Sequence, residues 1–302
     1  MYKRQVLCVI SSISFIVSAK ENKEYTSDNF LSVADGIIAW KKADNGSEPD
    51  GYLINDKYLE NAGTTPGDWY PIALGRLGIQ DNNEGYLAVI KDRVEERYRE
   101  SGRLSAAKAT EWHRIALAVL AMGGDPTNFG TDENGAPINL IADGTYDRGK
   151  TTPLGRQGIN GWIWGLITLD SMRYTVPDGA YNTRDDIIVE IISKQLSDGG
   201  FALSSDDADP DITAMAITAL APYYNSEKIY SYHRKALSAD ESKTVHEVVD
   251  EAVLCLSRLQ LDTGDYKSWG TQNVESTDWV AVALCSLNIC LLYTSPSPRD
   301  YA

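Results

Sequence analysis

The chain of 302 residues carries 28 lysines and arginines against 43 aspartates and glutamates, a formal charge of −15, with 43% apolar and 9% aromatic residues. That balance repels nucleic acid and anionic membrane surfaces, because phosphate binding needs clustered Lys and Arg, and it leaves ample apolar material for a core.

In chain order, the opening MYKRQ (residues 1–5) and the closing Cys290–Asp300, CLLYTSPSPRD, resemble a transposon-based sequencing adapter translated in opposite directions. Residues 1–5 and 290–302 are therefore expected to be foreign, and residues 6–289 to be part of a longer metagenomic reading frame. Val6–Ala19 is apolar and uncharged, is followed by the charged KENKE, and is too short to span a membrane. Val17-Ser18-Ala19 supplies the small residues that a signal peptidase prefers. The expectation is a signal-peptide remnant over 6–19 and export to the cell surface or beyond; the other reading is a buried first helix.

A five-fold repeat runs through the rest. DWYPIALGRL begins at Asp68, EWHRIALAVL at Glu111, NGWIWGLITL at Asn160, DITAMAITAL at Asp211 and DWVAVALCSL at Asp278. Each opens on an acid or amide, places Ala or Gly five positions on (Ala73, Ala116, Gly165, Ala216, Ala283) and Leu nine positions on (Leu77, Leu120, Leu169, Leu220, Leu287). Those offsets share one face of a 3.6-residue helix, where a small residue lets a neighbouring helix approach, and the opening acid or amide is suited to the orphan amides of a first turn. A second set of helices with charged outer faces is predicted at Asp28–Lys42, Glu84–Glu100, Arg184–Leu196 and Val245–Gln260, alternating with the first. Asn134–Arg148 contains Pro137 and the turn-rich ADGTYDRG, so the third pair is expected to be irregular. Cys8 and Cys290 belong to the ends, which leaves Cys255 and Cys285 on apolar helix stretches, too few for a disulfide framework and read as two buried thiols in preference to one bridge. Uneven spacing between repeats fits helix pairs with variable loops better than a regular solenoid.

Two units carry a further motif ahead of the inner helix: Gln195-Leu-Ser-Asp-Gly-Gly-Phe201 and Gln260-Leu-Asp-Thr-Gly-Asp-Tyr266. This Q-x3-G-x-aromatic pattern resembles the repeats of the terpenoid cyclase and protein prenyltransferase superfamily, to which the helical half of cobalamin carriers is also similar. The resemblance covers nearly all of Ser27–Ile289. It implies an all-α fold, an α/α toroid of inner and outer helix pairs over residues 20–289, with the glutamine and aromatic tying each outer helix end to the next unit and the ring cut short after the fifth pair. Gly at such a helix end accepts left-handed dihedrals, and Gln can satisfy free backbone groups there.

The residues that make relatives enzymes are not intact. Prenyltransferase β subunits hold zinc with Asp, Cys and His, yet no His matches here beside Cys255. Cyclases of the squalene type protonate an alkene with a DxDD motif; the nearest candidates are Asp206, Asp207, Asp209 and Asp211 in SSDDADPD, whose order departs from it. Asp207, Asp209 and Asp211 form either a helix-capping turn or, less in keeping with calcium-loop spacing, an oxygen-ligand site. Tryptophan is concentrated at the inner helix starts: Trp69, Trp112, Trp162, Trp164 and Trp279, with Tyr266 and Trp269 in the preceding turn and His113, Asp68, Glu111 and Asp278 alongside. These rings either surround a cavity suited to a large flat or apolar ligand, such as the corrinoid implied by the carrier resemblance, or pack between helix pairs. Three readings stay open: a non-catalytic, exported toroid that binds a ligand or surface partner; a cyclase or prenyltransferase-like enzyme with an unrecognised acid; and a structural adhesion module.

Overall fold

The computed structural model describes residues 27–150 and 152–288. The adapter-like ends, the apolar stretch 6–19, Cys8 and Cys290 lie outside the described residues. Within them the chain is predominantly helical and divides into two compact units, residues 27–157 with 171–182 and residues 158–170 with 183–288.

The N-terminal unit contains α1 (Ser27–Asn45), the single turn α2 (Asp56–Leu59), α3 (Thr65–Leu77), α4 (Asn83–Ser101) and α5 (Thr110–Ala121). Helix α4 matches its predicted span because every local signal agrees. The Asn82 side chain accepts from Gly85 N, Gly102 ends the helix at φ 64°, and Tyr86, Ile90, Val94 and Tyr98 form one buried stripe. The Arg93 guanidinium reaches from α4 to the carbonyls of Leu59 and Glu60 at 3.3 and 2.9 Å and to that of Ala62, so that the C-terminal carbonyls around α2 find donors. Helix α3 packs on α5, and the close approach falls at Gly75, where a methyl group would sit 2.0 Å from the Ala121 carbonyl oxygen. Ala73, the expected contact residue, is exposed instead. The register shifts because α3 starts at Thr65, three residues before Asp68, and buries Asp68, Pro71 and Leu74. The irregular stretch after α5 resolves into a π turn at Ala142–Tyr146 and 3-10 turns at Arg148–Lys150 and Leu154–Gln157.

The C-terminal unit contains α6 (Ile159–Asp170), α7 (Arg184–Ile192), α8 (Pro210–Leu220), α9 (Val245–Leu259) and α10 (Val274–Ser286). Capping boxes start both outer helices, Thr183 with Asp186 at α7 and Thr244 with Glu247 at α9. Ala216 and Ala283 are fully buried, as the repeat predicts. Helix α8 packs against α6, α9 and α10, so consecutive inner helices are neighbours here, as α3 and α5 are in the other unit.

Helix α7 stops at Ile192, short of Leu196, because the chain turns there in the glutamine motif. Gln195 Nε2 donates to Gly199 O at 2.8 Å and to Val248 O of α9 at 2.9 Å, while Gly199 stands at φ 89° and Phe201 is fully buried. The same turn recurs after α9: Gln260 Nε2 donates to Gly264 O at 2.9 Å, Gly264 has φ 88°, and Tyr266 is buried. Only glycine adopts that left-handed conformation without strain.

The fold is mostly helical, as the all-α expectation has it, with two short additions: strands β1 (Ile229–Arg234) and β2 (Ala239–Thr244) form an antiparallel hairpin before α9, and β3 (Lys267–Ser268) with β4 (Thr271–Gln272) forms a short one before α10. Strand β1 buries alternate residues, Tyr230, Tyr232 and Arg234, and Arg234 Nε donates to Gln195 O at 3.1 Å. This insertion accounts for the long gap between the fourth and fifth repeats. The thiols correct one expectation, since Cys255 is buried but Cys285 is exposed.

Candidate binding site

Aromatic and acidic residues converge in the C-terminal unit at the starts of its inner helices. Trp162 and Trp164 project from the first turns of α6, and Trp164 meets Trp279 of α10 edge to face, with centroids 5.8 Å apart and planes at 81°. Asn273 sets the start of α10 by accepting from Ser276 N at 2.7 Å, which fixes the rotational position of Trp279. All three residues are half-buried. Trp269 is 85% exposed, at φ 53° in the β3–β4 turn. Tyr266 is buried in the preceding segment, and Asp278 is exposed.

Asp209 caps α8, its Oδ1 accepting from the amides of Asp211 and Ile212 at 3.0 and 3.1 Å and its Oδ2 from the hydroxyl of Ser268. Asp211, two residues further in, is half-buried. Burial pushes its carboxyl up, and the neighbouring Asp209 charge reinforces the shift. Oδ1 of Asp211 and Oγ of Ser276 are both buried without a hydrogen-bond partner among the described residues. Asp206 and Asp207 are exposed in the loop before α8.

The corresponding positions of the N-terminal unit have other fates. Trp69 is 40% exposed, whereas Asp68, Trp112 and His113 are buried. Asp68 does not cap α3. Its Oδ1 accepts from Gly63 N and the Tyr86 hydroxyl, both at 2.7 Å, and its Oδ2 from Arg114 Nε at 2.7 Å. Arg114 also grips the half-buried Glu111 through two nitrogens at 3.0 and 2.9 Å. Burial raises the Asp68 carboxyl against the pull of these donors. Trp112 Nε1 donates to the Tyr98 hydroxyl at 2.7 Å, which in turn donates to Asp143 at 2.6 Å, and the Arg148 guanidinium stacks 4.0 Å over the Trp112 ring. His113 Nε2 lies 2.8 Å from Gly144 O, so that nitrogen carries the proton. Burial, reinforced by the charge of Arg148 and opposed by the Gly144 carbonyl, pushes the His113 pKa down to about 3.

Sequence reasoning passes over Ser268 and Ser276, which surround the two carboxylates, and over Arg148. No short-range pattern marks them, because the partners they meet are brought together only by the fold. Among the described residues no group of three His, Cys, Asp or Glu side chains is placed to hold a metal, and no helix is long and apolar enough to cross a membrane. Burial raises the Cys255 thiol to about 11, which keeps it protonated and poorly nucleophilic at neutral pH. In chemical terms the C-terminal unit offers half-buried indoles beside carboxylates, suited to holding flat or apolar groups by dispersion and cationic ones by cation–π attraction. Compared with family models, with curated proteins and with solved structures, the chain matches none.

Proposed function

We propose that the chain is a binding domain of the α/α-toroid type, exported from the cell, which holds a large flat or apolar ligand against the tryptophans at the inner helix starts of its C-terminal unit. The observation that carries this reading is the half-buried Trp164–Trp279 pair at the starts of α6 and α10. The toroid element of the proposal is supported by the glutamine turn made twice with one geometry and by the packing of consecutive inner helices within each unit. Ligands of corrinoid or isoprenoid type have the size and apolar faces for such a surface. The test is titration of the protein with a panel of both, followed by calorimetry and tryptophan fluorescence. Saturable heat with quenching, weakened in W164A and W279A, is the expected result; no heat from any member of the panel overturns it.

One observation favours a second reading, a cyclase. Asp211 combines a raised carboxyl and an unpartnered buried oxygen with its place in the unit that carries the tryptophan cluster, whose rings would stabilise a carbocation. Product formed from squalene or a prenyl diphosphate, and lost in D211N, would establish it.

A further inference from the structure

Arg148 is 1% exposed, and none of Nε, Nη1 and Nη2 has a hydrogen-bond partner among the described residues. A guanidinium does not shed its proton in a protein, so this is a buried cation with every donor nitrogen unanswered. The face of Trp112 below it offsets only part of the desolvation of an ion. The polar groups around it do not supply an acceptor. The Tyr98 hydroxyl is engaged by Trp112 Nε1 and donates to Asp143, the Asp143 charge acts on Arg148 without bonding to its nitrogens, and Arg103 adds a second positive charge. The neighbouring His113 is buried with its Nδ1 unpartnered, a lone-pair acceptor without a donor. The Arg114 cluster of the same unit shows the contrast: there a buried guanidinium is matched by two carboxylates, a hydroxyl and a carbonyl.

We propose that Arg148 is the anchor of an anion site within the N-terminal unit, taking a small oxyanion of the carboxylate or phosphate type on the edge of its guanidinium fork while Trp112 covers one face of the plane. The planar fork matches two oxygens of such a group in a bidentate pair, a geometry that a spherical halide does not fill. The site is separate from the tryptophan pair of the C-terminal unit and does not depend on the function proposed for that pair.

The experiment uses the full chain in a zwitterionic buffer, with acetate or phosphate exchanged for chloride at constant ionic strength. Thermal midpoint and tryptophan emission are followed together. A saturable rise in midpoint is expected from at least one oxyanion, because a ligand that binds only the folded state stabilises it by mass action, and whichever of acetate and phosphate acts at lower concentration identifies the source. W112F keeps the rise and loses the emission change. R148M abolishes both, and in chloride alone is as stable as the wild type or more so, since an unpaired buried charge has been removed. R148K, which keeps the charge but not the fork, shifts the half-effect concentration upward by roughly tenfold. A wild-type protein indifferent to both oxyanions, or an R148M or R148K response with an unchanged half-effect concentration, overturns the proposal.

Discussion

His113 gives the sharpest test of the N-terminal core. Its ring is fully buried and neutral, with Nε2–H directed at Gly144 O and a pKa lowered from 6.5 to about 3. The sign follows from proton linkage. Between these two values the unfolded chain holds a proton on this ring that the folded chain does not, so stability is full above the unfolded pKa and falls as pH drops toward the folded one. Each pH unit in that window is worth about 1.4 kcal/mol, which integrates to about 2 kcal/mol between about pH 7 and pH 5. The variant H113Q preserves an amide N–H directed at Gly144 O and removes the titration. Urea unfolding of both proteins at the two pH values isolates the contribution, since every other ionisable group is common to both and cancels in the difference. The wild type should lose about 2 kcal/mol more than H113Q on acidification. Equal losses would refute the claim that a neutral His113 is required by the fold.

D68N breaks a buried charge pair and should destabilise the protein by about 3 kcal/mol in urea, with R114M adding much less in the D68N background than alone; effects that add within about 0.5 kcal/mol would sever the proposed network. G75A forces a methyl into the Ala121 carbonyl and should lower stability by about 1–3 kcal/mol, while G36A, in α1 with nothing within 4 Å of its added methyl, should raise it by about 0.5–1 kcal/mol; opposite signs would contradict the packing described. In the folded protein the Cys255 peptide should resist iodoacetamide near pH 8 and react once urea unfolds the chain, as peptide mapping would show; rapid native labelling would place that thiol at the surface.

The helices were legible where the signals are local. The buried stripe of α4 and the capping boxes of α7 and α9 involve residues three or four apart; the spans of α4 and α9 follow from the sequence almost residue for residue, while α7 ends short of Leu196 at the glutamine turn. The glutamine turn was equally legible, because one motif encodes its glycine, its donor and its aromatic plug. The β1–β2 hairpin was not read, although Ile229-Tyr-Ser-Tyr-His-Arg234 alternates as a strand should, because that segment falls in a long interval between repeats that looked like loop. Site residues were less legible still. Asp68 and Asp211 hold the same repeat position, yet one is locked to Arg114 from α5 and the other faces the serines ahead of and within α10. Trp112 and Trp279 likewise share a position but differ in burial, because Tyr98 and Arg148 close over the first and a neighbouring indole leaves the second half open. Such partners are chosen by the fold and not by spacing.

The two N–H groups of Gln195 face in different directions: one secures the turn that ends α7, and the other is held by a carbonyl of α9. Loosening α9 therefore strands a donor beneath α7, and Arg234, bonded both to the Gln195 carbonyl and to Glu251 of α9, is stranded with it. A repeat boundary in this unit is thus not a seam. Partial unfolding there leaves buried polar groups exposed to no solvent and bonded to nothing, which favours the loss of α7, the hairpin and α9 as one cooperative block over the release of repeats one at a time.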